Sequence, residues 1–297
     1  MKTWLKRTLS GGAVLIAGAA AAFLVAAELG ERKLERRIDV AVAPVAYRSD
    51  QAAIARGDYL FRSRGCGDCH GSTGQGQVVI DDGNGMLIRS PNITGGAGGV
   101  VAGYGPVDWV RTIRHGIKPD GRPILIMPSE EYNRLTDADL AAVVAYVRQL
   151  PPMAGSAAEI RLPMPVKALY AAGLVRDAAE KIDHALPPSQ PVVEAVSVSH
   201  GAYVATGCTG CHGARLEGGK IAGAPPSWPA AARLAPGEGS VLPRYRDARA
   251  FATMLKTGKR PDGTAVSVVM PFVSLREMNE LDVEALYLYL TTGQRSP

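Results

Sequence analysis

The chain has 297 residues, enough for two domains of roughly a hundred residues each plus attachments. Its net charge of +5 is thinly spread, and no dense Lys/Arg run interleaves with aromatic residues. That excludes a nucleic-acid groove and points the modest basic excess toward acidic proteins or anionic membrane surfaces. Aromatic residues are only 6%, with four Phe and three Trp, so a small domain built here needs a large flat apolar body to complete its core.

Lys2, Lys6 and Arg7 precede an uncharged run from Thr8 to Ala27 rich in Ala, Val, Leu and Ile. Twenty such residues can cross a bilayer as a helix, and the basic residues before it predict a cytoplasmic N-terminus with the rest of the chain outside. A cleaved signal peptide is the rival, with Val25-Ala26-Ala27 as a passable cleavage site, but the apolar run is longer than the usual signal core and retention is favoured. Glu28 to Arg37 reads as a solvated continuation of that helix with pairs such as Glu28/Arg32 and Glu31/Glu35. Ile38 to Ser49 reads as an extended lead-in, and Asp50 to Arg64 as a helix burying Ile54, Tyr59, Leu60 and Phe61.

Next comes Cys66-Gly67-Asp68-Cys69-His70, which returns as Cys208-Thr209-Gly210-Cys211-His212, and the two stretches use all four cysteines. In C-x-x-C-H the two sulfurs can form thioethers with the vinyl groups of a haem, and the adjoining histidine can ligate its iron. Disulfides, zinc or a thiol redox couple are the competing readings. Zinc knuckles normally lie closer together than the 142 residues between Cys66 and Cys208, and neither zinc nor a disulfide requires histidine after both pairs.

From Gly71 to Gly105 the chain is Gly-rich and is expected to be loop wrapped over one haem edge. Pro106 to His115 resumes helical spacing and Gly116 stops it; Pro119-Asp120-Gly121 is a turn, and Ile124 to Met127 delivers a methionine ahead of Pro128. Thr136 starts a further helix with a capping-box pattern and an apolar face of Leu140, Val143, Val144, Val147 and Leu150, ended by Pro151-Pro152. This helix is expected to pack across the one at 50–64. Residues 153–195 read as a Pro-rich linker with a short helix between Val166 and Ile182.

The second half repeats the first. Gly57-Asp58-Tyr59 corresponds to Gly201-Ala202-Tyr203, Gly116-x-x-Pro119-Asp120-Gly121 to Gly258-x-x-Pro261-Asp262-Gly263, and Met127-Pro128 to Met270-Pro271. First cysteine and methionine are 61 residues apart in one half and 62 in the other. That agreement marks Met127 and Met270 as the sixth ligands, since thioether sulfur is a soft donor suited to haem iron, whereas Met86, Met153, Met164, Met254 and Met278 read as core filler. His115 aligns with Thr257 and cannot serve both halves, and His184 and His200 read as surface or hydrogen-bonded histidines. A closing helix recurs at Asn279 to Leu290.

With these parts in place the chain resembles the class I cytochrome c family, in particular bacterial membrane-anchored dihaem cytochromes c. Besides both C-x-x-C-H motifs, the resemblance rests on Ser90-Pro91-Asn92-Ile93-Thr94, on Arg114-His115-Gly116 through Met127-Pro128, and on Leu140 to Pro152; the second half lacks an Asn-Ile-Thr segment. It implies a proline carbonyl holding the outer N–H of each haem histidine: Pro91 for His70, and Pro225 or Pro226 for His212. The expected architecture is mainly α: two tandem class I cytochrome c-like domains behind one N-terminal transmembrane helix. The boundaries are 1–30 for the cytoplasmic tip and anchor, 31–50 for the lead-in, 51–152 for domain 1, 153–195 for the linker and 196–297 for domain 2. Two covalently bound haem c groups are expected, held by Cys66, Cys69, His70 and Met127 and by Cys208, Cys211, His212 and Met270. The implied role is electron transfer, without catalysis, at the periplasmic face of the bacterial cytoplasmic membrane. Its partners would be a periplasmic dehydrogenase and a quinone-linked or oxidase complex. A peroxidase-like or sulfur-compound oxidising haem enzyme is the alternative; it requires an open iron position, and no cysteine is spare to ligate one.

Overall fold

The computed structural model describes residues 2–221, 223–225 and 227–292, with side chains from residue 13 onward. Helix α1 (Lys2–Leu34) contains the segment Ala13–Leu34, long and apolar enough to cross a membrane at a mean hydropathy of 2.1. Then follow α2 (Gln51–Ser63), α3 (Cys66–His70), β1 (Val78–Asp81), β2 (Leu87–Arg89), α4 (Pro106–His115), α5 (Ser129–Tyr132) and α6 (Asp137–Val147). The chain continues with β3 (Glu159–Arg161), α7 (Met164–Ala171), α8 (Val198–Ala205), α9 (Thr209–His212), α10 (Ala248–Thr257), α11 (Phe272–Leu275) and α12 (Glu280–Thr292). The fold is mainly helical, as expected.

Helix α2 starts where Asp50 accepts a hydrogen bond from the Ala53 N–H at 3.0 Å, and it buries Ala53, Gly57, Leu60 and Phe61, a face of helical period. It packs on α6 as the sequence implied, at a contact so close that a Cβ on Gly57 would lie 2.0 Å from the Ala142 carbonyl oxygen. Helices α8 and α12 meet in the same way, with Gly201 against Ala285 at the same 2.0 Å. Two hydrophobic cores result. One centres on Leu60, Phe61, Trp109, Leu140 and Val144, the other on Val204, Phe251, Leu255, Leu286 and Leu290.

Three expectations need correction. The Gly-rich stretch is not all loop: β1 pairs antiparallel with β2, β2 pairs with β3 from the supposed linker, and Ile88, Leu125, Leu162 and Tyr170 form a small core beneath them. The helix expected between Val166 and Ile182 is shorter and displaced, because Gly173 turns the chain at a φ of 74° after α7 and only a 3-10 turn at Ala179–Lys181 follows. Nor is the end of α1 simply solvated. Glu28 and Arg32 do pair at 3.0 Å on the exposed face, but the opposite face docks on α7. A Cβ on Gly30 would lie 2.1 Å from the Lys167 carbonyl oxygen, Lys33 pairs with Glu180 at 2.8 Å, and Arg36 pairs with the fully buried Asp177 at 2.7 Å. Glu31 and Glu35 escape mutual repulsion by pairing with Lys167 and Arg122.

The two cores meet through one repeated device. Thr136 caps α6 by accepting from the Asp139 N–H, but Asp139 does not return to the Thr136 N–H as a capping box requires. Its carboxylate takes Arg56 at 2.9 and 3.0 Å and the Tyr203 hydroxyl at 2.6 Å, and that hydroxyl accepts the Thr136 N–H at 3.2 Å. In the other direction Tyr59 donates to Asp282 at 2.7 Å and accepts the Asn279 N–H at 3.3 Å, while His200 takes the second Asp282 oxygen at 2.7 Å. Each tyrosine thus completes the helix cap of the opposite half.

Candidate cofactor sites

Gly65, at a φ of 77°, breaks the chain between α2 and α3, and the single turn of α3 presents Cys66, Cys69 and His70 to one cavity of about 480 Å³. Met127 reaches the same cavity from the far side of the sequence, on the segment between α4 and α5, and Trp109, Leu135 and Val143 supply apolar wall. The His70 Nδ1 lies 3.0 Å from the Pro91 carbonyl oxygen, which fixes the ring and leaves Nε2 as the free donor. Burial lowers the pKa of His70, so its imidazole is neutral and able to donate to a metal. Pro91 is held in place by its neighbour. Asn92 is fully buried, donates to the Met153 carbonyl at 2.8 Å and accepts from the Thr94 N–H at 2.9 Å and hydroxyl at 2.8 Å.

In the second half Cys208, His212 and Met270 line a cavity of about 100 Å³ with Ala232, Phe251 and Leu286; Cys211 is exposed beside it. The acceptor for His212 Nδ1 is the Ala232 carbonyl at 2.7 Å, neither Pro225 nor Pro226, the latter lying outside the described residues. Gly219 and Ala231 bridge, and the next residue, Ala232, presents its carbonyl to His212. It lies 20 residues after His212, as Pro91 lies 21 after His70. The matching offset points to this neighbourhood to within one residue, but residue type does not pick out the acceptor, since every residue offers a carbonyl.

None of the four cysteines is joined to another. Burial pushes the Cys66 and Cys208 thiols up to about 12, Cys66 also through Cys69 and Cys208 also through Glu131. An uncharged thioether suits such a wall. His115 and His200 line neither cavity. His115 faces His184, Nδ1 to Nδ1 at 3.0 Å, and His200 is buried against Asp282.

Arg64 and Glu131 carried no sequence signal. Arg64 lines the first cavity, yet its guanidinium crosses to the Val204 carbonyl at 3.2 Å. Glu131 lies against Gly210 within the second C-x-x-C-H, and burial together with Glu130 pushes its carboxyl up to about 8. Ser274 of α11 stands in turn beside Gly65 and Asp68. The segment that follows each methionine therefore caps the opposite C-x-x-C-H turn.

Residues 52–147 match the family model for cytochrome c oxidase, cbb3-type, subunit III. The chain is 30% identical over 145 residues to the fructose dehydrogenase cytochrome subunit of Gluconobacter japonicus, covering 46% of this chain and 29% of that protein. It is 28% identical over 187 residues to the cytochrome c subunit of a quinone alcohol dehydrogenase from Gluconobacter oxydans, covering 58% and 37%. It is 26% identical over 177 residues to the gluconate 2-dehydrogenase cytochrome c subunit of Pantoea cypripedii, covering 56% and 39%. The matched region thus spans well under half the length of each of these relatives. Residues 52–147 are a cytochrome c domain, in a chain homologous to the cytochrome c subunits of bacterial dehydrogenases.

Proposed function

We propose that the chain is a dihaem c-type cytochrome of two tandem class I domains, tethered by α1 to the periplasmic face of the bacterial cytoplasmic membrane. It would carry electrons between a dehydrogenase and a quinone-linked or terminal-oxidase pathway. The observation that carries this reading is the convergence of Cys66, Cys69, His70 and Met127 on one apolar cavity, repeated by Cys208, His212 and Met270 on the other. The donor set fits haem c: two sulfurs for thioethers, a neutral imidazole whose outer nitrogen is already held, and a soft methionine sulfur on the same cavity. A bound haem supplies reversible one-electron chemistry at iron. Trp109, Leu135 and Val143 would exclude water from it, Pro91 orients His70 and Ala232 orients His212, and Met127 or Met270 would supply the further ligand. Homology to dehydrogenase cytochrome subunits supports the choice of partner, and the apolar span of α1 supports the tether.

Two measurements test it. Intact mass and haemochrome spectra of the chain matured in a periplasm should show two haems, and Cys208→Ser with Cys211→Ser should leave one; a single haem in the unaltered protein would end the dihaem reading. Met127→Ala and Met270→Ala should each open one haem to carbon monoxide and lower its potential. If neither substitution changes the visible spectrum, the sixth ligands are wrongly assigned.

A further inference from the structure

The turn that leads into the cysteines is Arg64-Gly65-Cys66 in one half and Thr206-Gly207-Cys208 in the other, and the repeat breaks at its first residue. Thr206 is neutral and folds back on its own half, its hydroxyl donating to the Tyr203 carbonyl at 2.8 Å. Arg64 reaches outward instead. It lines the first cavity beside Cys66, while its Nη1 donates to the Val204 carbonyl at 3.2 Å and stands 3.4 Å from where a Cβ on Gly207 would lie. One guanidinium thus borders the first cavity and the residue that precedes Cys208.

This charge is buried with little to offset it. The Arg64 side chain is 11% exposed, and among the described residues its Nε has no hydrogen-bond partner. The one carboxylate within 4 Å among those residues is Asp282, at 3.7 Å, and the Tyr59 hydroxyl and His200 Nε2 already hold that carboxylate at 2.7 Å each. Burying a cation so loosely paired is costly unless other negative charge stands near it. A haem with its propionates is anionic, and more so once reduced. The field of Arg64 extends to the second turn: burial and Glu131 push the Cys208 thiol up to about 12, against the opposing pull of Arg64.

We propose that Arg64 is a potential-setting residue shared by the two sites, its single charge favouring the reduced form of the haem on either side of the seam. The proposal rests on the reading of both cavities as haem sites. When either iron passes from ferric to ferrous, the haem gains the charge of one electron, no bond forms or breaks in the protein, and the attraction to Arg64 grows. Arg64 acts through its field and not as an iron ligand, and its burial shields that field from salt.

The test is spectroelectrochemical titration of the full-length chain in phosphatidylcholine nanodiscs, alone and in two single-haem forms. Cys208→Ser with Cys211→Ser reports the first haem, and Cys66→Ser with Cys69→Ser the second. Arg64→Gln should lower both midpoint potentials, changing the ferrous-to-ferric ratio at a fixed potential by about threefold or more. That shift should be the same at roughly 20 and roughly 500 mM salt. Arg64→Lys keeps the charge and should restore most of it at both haems. Asp282→Asn removes the loose counter-charge and should move both potentials the other way, which keeps the proposal open to refutation if Arg64→Gln does not fold. Arg32→Gln, on the exposed face of α1, should move neither. The proposal is overturned if Arg64→Gln shifts only one potential or none. It is also overturned if Arg64→Lys shifts both as far as Arg64→Gln does, since shape and not charge would then be responsible, or if Asp282→Asn raises neither. Haem counts from intact mass, taken beforehand on the same samples, separate a wrong role for Arg64 from a wrong dihaem reading.

Discussion

Gly57 and Gly201 each occupy a position where only a hydrogen fits, and the reason is one of distance. A Cβ there would sit 2.0 Å from a carbonyl oxygen of the crossing helix, so Gly57→Ala must push α2 and α6 apart. The expected loss is about 1–3 kcal/mol or more in denaturant unfolding, with the first cavity opening before the second. Unaltered stability for Gly57→Ala would mean that the helices are not in this contact in solution. His115 gives a pH signature. Burial, then His184 and the neighbouring Arg114 and Arg111, push its pKa down from 6.5 to about 4. Its folded-state pKa is below the unfolded one, so the unfolded chain binds the extra proton. Stability from this group is complete above pH 6.5 and drains away as pH falls toward 4, by up to about 3 kcal/mol. Unfolding midpoints at pH 7 and pH 4.5 should therefore converge in His115→Gln, and equal pH slopes in both proteins would remove His115 as the cause.

At the scale of elements, the join between α1 and α7 decides how firmly the N-terminal helix is tied to the rest of the chain. Asp177 is fully buried, takes Arg36 at 2.7 Å and the Tyr170 hydroxyl at 2.5 Å, and these partners outweigh burial to hold its pKa below the ordinary value. Asp177→Asn keeps the shape and removes the charge. It should cost about 1.5–3 kcal/mol locally and speed tryptic cleavage after the exposed Arg176, read on a gel against the unaltered protein. How much of this was legible follows from the kind of signal each part carries. The crossing helices could be read because duplication prints the same spacing twice, while the close approach at Gly57 and Gly201 appeared only in the structure. The sheet could not, since strands of three or four residues are too short to show a period of two. The Ala232 acceptor was hidden because a carbonyl belongs to every residue, and the charges of Lys33 and Arg36 matched a solvated helix as well as a docked one.

Across the whole molecule, the exchanged tyrosines hold the halves together. Each hydroxyl gives its proton to the aspartate of the other half and takes an N–H from that half's helix start, so Tyr203→Phe leaves Asp139 and the buried Thr136 N–H each short of a hydrogen bond, and Tyr59→Phe leaves the buried Asp282 short of one. Either change should cost about 1.5–3 kcal/mol, and the double variant should separate the halves, seen as a larger radius of gyration in X-ray scattering at unchanged helix content. A double variant as compact as the original would show that the apolar contacts suffice alone.

The crossed placement of α5 over α9 and of α11 over α3 bears on how the protein is made. Once the halves are closed, Glu131 and Ser274 stand over the turns that carry the cysteines. If both turns take porphyrin, as proposed, the machinery that joins it to those sulfurs would have to reach them before the halves close, so attachment would precede closure.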